Sequence, residues 1–303
     1  MAITISGGVQ LSGPVTLTPS SGGSGGGGSY SFQGSNYGYT SAGSSYSDII
    51  DKYSFTSDGS ASDVGDLTIG RSYATAGQSS SSSGYTSGGS EEFVNTNTID
   101  KFPFSSDSNA SDAGDLSVAR RFMCGQSSSV NGYTSGGYTS TNTNIIDKFP
   151  FSSDGNATDV GDLSVTNYGF AGQSSTDNGY ASSNQGIEKF SFSSDGNATD
   201  IGDLTSPRRG GSGQSSTTHG YKSGADNHAA NVIDKFPFAS DTDATDVGDL
   251  SISQSNLAGS SSTTSGYAVA QGGIDKFSFS SDGNASDIGD LSVNRNLACG
   301  QQN

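Results

Sequence analysis

Apolar side chains are sparse along this chain, but they fall at the same places six times over. Residues 146–163 show the pattern: Ile-Asp-Lys-Phe-Pro-Phe, a polar run, then Asp-Val-Gly-Asp-Leu. Phe149 and Phe151 are two apart and share one face of a strand, while Ile146 and Lys148 take the other. The run Asp-Gly-Asn-Ala-Thr between the two apolar pieces is turn chemistry. Upstream in each unit comes Gly-Tyr followed by small residues (Tyr39, Tyr85, Tyr133, Tyr180, Tyr221, Tyr267), and downstream a piece such as Ala-Gly-Gln-Ser-Ser at 171–175. The pattern predicts four short strands per unit. No segment carries a 3.6-residue apolar period, which predicts almost no helix.

The motif lysines, Lys52, Lys101, Lys148, Lys189, Lys235 and Lys276, stand 41 to 49 residues apart. A self-similar unit of that length sets the architecture before local propensity does. Because both faces of the Ile-Asp-Lys-Phe strand are apolar, each four-stranded sheet must lie between two neighbours. Pro103, Pro150 and Pro237 belong where no ladder N–H is needed. The expected fold is all-β: a six-bladed β-propeller over residues 30–303. Counting pieces, the last Gly-Gln segment has no Gly-Tyr strand after it and the first Gly-Tyr has no Gly-Gln before it. Residues 297–303 are therefore expected to pair with 38–42, satisfying otherwise open sheet edges. Ahead of the repeat, Ile3, Ile5, Val9, Leu11, Val15 and Leu17 alternate between glycine turns, and residues 20–29 are Gly and Ser alone. This reads as a short β arm (1–19) on a flexible linker. Too small to fold alone, the arm is expected to attach the propeller to something else.

Composition refines this picture. Only 30% of residues are hydrophobic and the net charge is −17, values that suit disorder unless the apolar residues are ordered by a repeat, as they are here. Of 30 acidic residues, 24 occupy four positions of the unit, so the acidity belongs to the repeat. It disfavours nucleic acid, whose phosphates need Lys and Arg, and attraction to anionic membranes. No run approaches the ~20 apolar residues of a membrane helix, and the start lacks the basic and apolar regions of a signal peptide. Cys124 and Cys299 replace Ala or Ser in different units and read as small core residues rather than a disulfide or metal pair.

Candidate chemistry is weighed against the repeat. The six lysines, with Asp66, Asp115, Asp162, Asp203, Asp249 and Asp290 of the Val-Gly-Asp type pieces, could suggest a catalytic pair. A residue present in every blade serves blade geometry instead. Lys148 is expected to reach Asp159 or Asp162 across its own sheet as a partly buried ion pair. The Asp-rich turns offer oxygen ligands for Ca²⁺, but they lack the EF-hand spacing, and turn capping explains the same residues. Asn109, Asn156, Asn197 and Asn284 open formal glycosylation triplets at one fixed turn position. His219 and His228 make no metal set. No catalytic residue, metal or cofactor is expected. The variable loops 86–98, 134–145, 181–186, 222–232 and 268–273 are where a rigid repeat scaffold carries specificity. Their candidate binding residues are Glu91, Glu92, Phe93, Tyr138, Asn184, Gln185, Lys222 and His228.

Gly132-Tyr133-Thr134-Ser135-Gly136-Gly137, Phe102 to Phe104, and Leu116 to Arg120 resemble the successive pieces of a Kelch repeat. The fit spans about residues 30–303. Trp is absent, the double Gly is missing after Tyr180, Tyr221 and Tyr267, and the Arg is replaced by Asn167 and Gln254. The Ser/Gly-rich wording and the Met-Ala-Ile-Thr-Ile-Ser-Gly-Gly-Val-Gln start resemble virion structural proteins of tailed phages, cyanophages especially. Together these imply a non-enzymatic virion component at the particle surface or tail. Its partners would be other virion proteins through the arm, a host-surface glycan or protein through the loops, and further copies of the chain in a homo-oligomer. A cellular Kelch-like interaction module or extracellular adhesin is the second reading, and a carbohydrate-active enzyme the third.

Overall fold

The structure, a computed structural model, describes residues 32–303 apart from 74, 226–230, 254 and 272. The expected arm and linker lie outside the described residues. Among the described residues there is no helix, and the strands form a six-bladed β-propeller of antiparallel sheets. The second blade is typical: from the inside outwards it holds Ala76–Ser79, Ser83–Ser87, Thr98–Pro103 and Ser111–Asp115. In the fourth blade Asn178–Ser191 runs unbroken through the positions of the two middle strands, so three strands do the work of four. The first blade is composite. Its innermost strand is the C-terminal Cys299–Gln302, paired with Tyr37–Ser41 from Gly38↔Gln302 to Ser41↔Cys299.

The repeat explains how blades pack. Tyr39, Ile50 and Leu67 of the first blade enclose Phe102 and Phe104 of the second. Tyr53 and Phe55 of the first blade in turn pack on Tyr267, Ile274 and Leu291 of the sixth. Each Phe-x-Phe pair thus faces one neighbour and each Ile the other, so every apolar residue of a scarce set is used in a shared core. The Gly before each Tyr is a seat for the first ring of that pair. A Cβ at Gly132, for example, would lie 2.4 Å from Phe149.

At the axis the innermost strands approach too closely for any side chain. A Cβ at Gly77 would lie 2.2 Å from the Gly300 carbonyl oxygen, and the same relation runs through Gly125, Gly172, Gly213, Gly259 and Gly300 around the ring. This is the close approach for which only glycine serves. Past it, Ser127 Oγ accepts from Ser79 N, Ser174 Oγ from Ser127 N, Ser215 Oγ from Ser174 N, and Ser261 Oγ from Ser215 N. The sixth position is Gln302. Its side chain donates instead to the Phe32 carbonyl, and Gly34 N donates to Ser261 O at 2.8 Å. Residues 32–34 therefore sit at the axial mouth where the serine ring is interrupted.

Ion pairing differs from the sequence expectation. Each motif lysine reaches the Asp-Gly or equivalent turn of the next blade, not an aspartate of its own sheet: Lys148 pairs with Asp195, and Lys276 with Asp58. All six such pairs span 2.5–3.0 Å with an exposed carboxylate. Asp66, Asp115, Asp162, Asp203 and Asp249 are half-buried and Asp290 exposed, and the six motif lysines pair with other aspartates. At these positions it is the backbone N–H that is held by the next blade's turn. Asn156 Oδ1, for instance, accepts from Asp115 N at 3.1 Å. The asparagines of the formal glycosylation triplets are thus inter-blade clasps. The buried ion pairs use the aspartate of Ile-Asp-Lys instead. Arg71–Asp100, Arg120–Asp147, Arg208–Asp234 and Arg295–Asp51 are all fully or almost fully buried.

Candidate functional site

The two ends of the propeller differ in kind. Each innermost strand begins beside the variable loops and ends beside the Asp-rich turns, because Ala76 pairs with Ser87, where the loop departs, and Ser79 with Gly84. The turn end is repetitive and carries the Lys–Asp pairs, the serine ring and residues 32–34. The loop end is where repetition breaks.

At the loop end, one residue of each inter-blade connection adopts a left-handed conformation: Tyr73 (φ 67°), Phe122 (58°), Gly169 (69°), Gly210 (67°), Asn256 (56°) and Leu297 (61°). Five backbone hydrogen bonds link them around the axis. Phe122 N donates to Tyr73 O, Gly169 N to Phe122 O, Gly210 N to Gly169 O, Asn256 N to Gly210 O and Leu297 N to Asn256 O. Ring geometry demands the left-handed turn and glycine suits it. Bulky residues there cost about 1–2 kcal/mol each. Blades two and three nevertheless place Tyr73 and Phe122 at it.

These two rings are the middle of a run of aromatic side chains. Tyr46 meets Phe93 (centroids 5.7 Å apart), Phe93 meets Tyr73 (6.1 Å), Tyr73 meets Phe122 (5.7 Å), Phe122 meets Tyr168 (5.6 Å) and Tyr168 meets Tyr138 (6.2 Å). Most contacts are edge-on or tilted, the arrangement favoured by ring quadrupoles. Burial and the neighbouring Tyr73 push the Tyr46 phenol up. Phe93 stands at the tip of a short separate hairpin, Ser90–Glu91 with Val94–Asn95. Phe93 and Val94 are each 71% exposed.

Two guanidiniums are set into this run. Arg121 lies 5.1 Å from the Tyr73 ring, 5.6 Å from Phe122 and 5.3 Å from Tyr138. Reciprocal backbone hydrogen bonds with Tyr138 fix it there, at 3.1 and 2.8 Å. Arg209 lies 4.7 Å from Tyr168. Arg121, Tyr168 and Arg209 each follow the position of the buried repeat arginine in consecutive units, so Arg-Tyr-Arg lies along the rim. Beneath the rim, the axial depression holds a cavity of about 70 Å³ lined by residues including Met123, Phe170, Cys124 and Cys299. Both cysteines are free and buried, and burial pushes the Cys124 thiol up to about 12.

Of the loop residues singled out in the sequence, the structure gathers some and disperses others. Phe93 and Tyr138 belong to the aromatic run, and Glu91 and Glu92 are exposed on its hairpin. Asn184 is exposed in the fourth blade, at a left-handed turn with φ 54°, and Gln185 follows it in the same strand. His228 lies outside the described residues. Lys222 is a correction. It is not a loop residue but lies in His219–Ser223, fully buried, with Nζ donating to Ser182 O of the preceding blade at 3.0 Å. It occupies the place of Thr40, Thr86 and Thr134 after the Gly-Tyr pair, a place that the register turns inwards. Sequence reasoning missed Tyr46, Tyr73, Arg121, Phe122, Tyr168 and Arg209. For all but Tyr46, which lies in the loop between the first two strands, the available signal was position: they are bulky residues in the two places after the repeat arginine position, where other units carry Gly, Asn, Ser or Leu.

Among the described residues no group of carboxylates, histidines or cysteines is placed to hold a metal ion. The chain matches no family model and no curated protein.

Proposed function

We propose that this chain is a non-enzymatic structural protein of a phage virion, with a Kelch-like propeller head that presents its loop face for binding. The observation that carries the reading is the polarity of the head. The described chain enters at the axis of the turn end, through Phe32, Gln33 and Gly34, while the described parts of the variable loops and the aromatic run lie at the opposite end. A head held through the segment before Phe32 would direct its one irregular, aromatic face towards a host surface or a neighbouring subunit. The repetitive chemistry supports a binding rather than a catalytic role, since its Lys–Asp and Arg–Asp pairs are all engaged between or within blades. The Kelch-like reading is supported by the glycine-seated aromatic strand and by the arginine that ends the unit on a buried aspartate.

Mass spectrometry of purified particles tests the assignment. The protein should be a stoichiometric component, and deletion of residues 1–29 should abolish its incorporation while leaving the propeller folded. Particles that lack the protein would sink the reading.

A further inference from the structure

The composition of the loop face says more about its ligand than exposure alone. Arginine is scarce here, and four of the six residues are consumed in buried pairs with aspartate. Arg121 is treated differently. It rests among three aromatic rings, is half-buried, forms no ion pair among the described residues, and its Nε has no hydrogen-bond partner. In a chain of net charge −17, a guanidinium kept from the abundant carboxylates is notable. Ring faces hold a guanidinium by cation–π attraction without neutralising it. Its planar fork stays ready for a bidentate oxyanion.

We infer that the aromatic–guanidinium run of Tyr73, Phe93, Phe122, Arg121, Tyr138 and Tyr168 is a binding site for an acidic saccharide. A pyranose chain offers the complementary surfaces. Its C–H faces carry partial positive charge and suit the negative faces of aromatic rings. Its hydroxyls match the three tyrosine hydroxyls of Tyr73, Tyr138 and Tyr168, and a carboxylate or sulfate group matches the Arg121 fork. The rings are separate and tilted rather than fused into one flat apolar patch, which suits a jointed polymer of small rings. Tyr73 and Phe122 take the left-handed turn that Gly169, Gly210, Asn256 and Leu297 take in the other connections, so the ring geometry fixes the turn and holds these two aromatic side chains rigidly at the rim. Nucleic acid does not fit, because two guanidiniums are too few to neutralise a phosphate backbone on so acidic a protein. Repulsion from the Asp-rich turn end is screened, since the Debye length is about 8 Å at physiological salt, and the exposed Glu91 and Glu92 of the Phe93 hairpin confine the acidic group of the saccharide to the Arg121 part of the run.

The inference rests on reading the loop face as the binding face, not on the virion assignment, and the two fail separately. The test is a printed array of uronic-acid, sialic-acid and sulfated glycans with their neutral counterparts, probed with the full chain. Affinities for the best acidic glycan would then be measured by calorimetry. Acidic glycans should be retained over neutral ones. Arg121→Gln should weaken binding at least about tenfold, Arg121→Lys should restore only part of it, and Phe93→Ser, at an exposed tip that does not bear on folding, should weaken it with an unchanged melting temperature. Retention of no acidic glycan, equal binding by Arg121→Gln, or a loop-face partner that proves to be a protein would each overturn the inference. Saccharide binding by a protein missing from particles would leave it standing and sink the virion reading alone.

Discussion

The Tyr53 hydroxyl lies 2.5 Å from the Ser260 hydroxyl of the preceding blade. Each residue is a departure from the repeat, and each accounts for the other. Tyr53 stands where the other units have Phe, and Ser260 where they have Gln (Gln78, Gln126, Gln173, Gln214, Gln301). Those glutamines cross to the next blade and donate to a Tyr backbone carbonyl, as Gln126 does to Tyr180 at 2.9 Å. A shorter serine leaves room that the Tyr53 hydroxyl fills. The Tyr53→Phe variant leaves a buried serine without its partner and should lose about 1–2 kcal/mol. The Tyr53→Phe/Ser260→Gln double variant restores the pairing of the other blades and should recover most of that loss. A double-mutant cycle in urea measures the coupling; strict additivity would refute it.

The axial glycine ring makes a sharper contrast. A Cβ on Gly125 would lie 2.1 Å from the Gly77 carbonyl oxygen, whereas one on Gly155 meets nothing within 4 Å. Gly125→Ala should therefore destabilise by ~3 kcal/mol or more by forcing two blades apart. Gly155→Ala, in an exposed turn, should leave the melting temperature within a degree or two.

The two kinds of ion pair should differ just as plainly. Lys276–Asp58 joins the last blade to the first, 218 residues apart, but both side chains keep contact with water. Lys276→Met should cost under about 1 kcal/mol. Arg120→Met removes the partner of a fully buried carboxylate, Asp147, and donors to the Gly136 and Thr134 carbonyls. It should cost about 3–5 kcal/mol. Chemical denaturation of the two single variants decides, and a reversed order would show that the exposed clasps hold the ring.

Alkaline pH should unfold the protein before it titrates the core. Burial holds the Cys124 thiol and the Tyr39 and Tyr221 phenols up at about 12. Their protons stay on in the folded state after the unfolded chain has lost them, so folding stability is complete below the unfolded values and falls as pH rises. The decline should begin near pH 8.5 through the thiol and steepen above about pH 10 through the phenols, each contributing at most ~1.4 kcal/mol per unit. Stability measured from pH 7 to 11 checks this, and a flat profile would contradict it. In the same range Cys124 should resist thiol reagents until the protein unfolds.

The blade count, the four strands per unit and the two apolar faces were legible because each is a property of spacing. Phe149 and Phe151 had to share a face, and Ile146 had to take the other. Ion partners were not legible. Lys148 and its own Asp159 and Asp162 are near in sequence, but the lysine lies at the turn end of its strand, where the neighbouring blade's Asp195 comes closest. Lys222 was misplaced for the same kind of reason. Its surroundings in sequence read as the start of a loop, and only the register with Gly213 and Asp234 shows that it points into the space between blades.

Sequence alone determined what each unit does for itself: strand period, turn chemistry, and the glycine that seats a ring. A repeated pattern carries that information in every copy. Tertiary structure decided what lies between units, because blades meet through residues of different units and no local pattern encodes a partner in another unit. Asn156 clasping Asp115, Gln126 reaching Tyr180, and Ser260 facing Tyr53 all belong to that level. So does the binding face. Tyr46, Phe93 and Tyr168 come from separate units, and packing the blades side by side is what brings them to one rim.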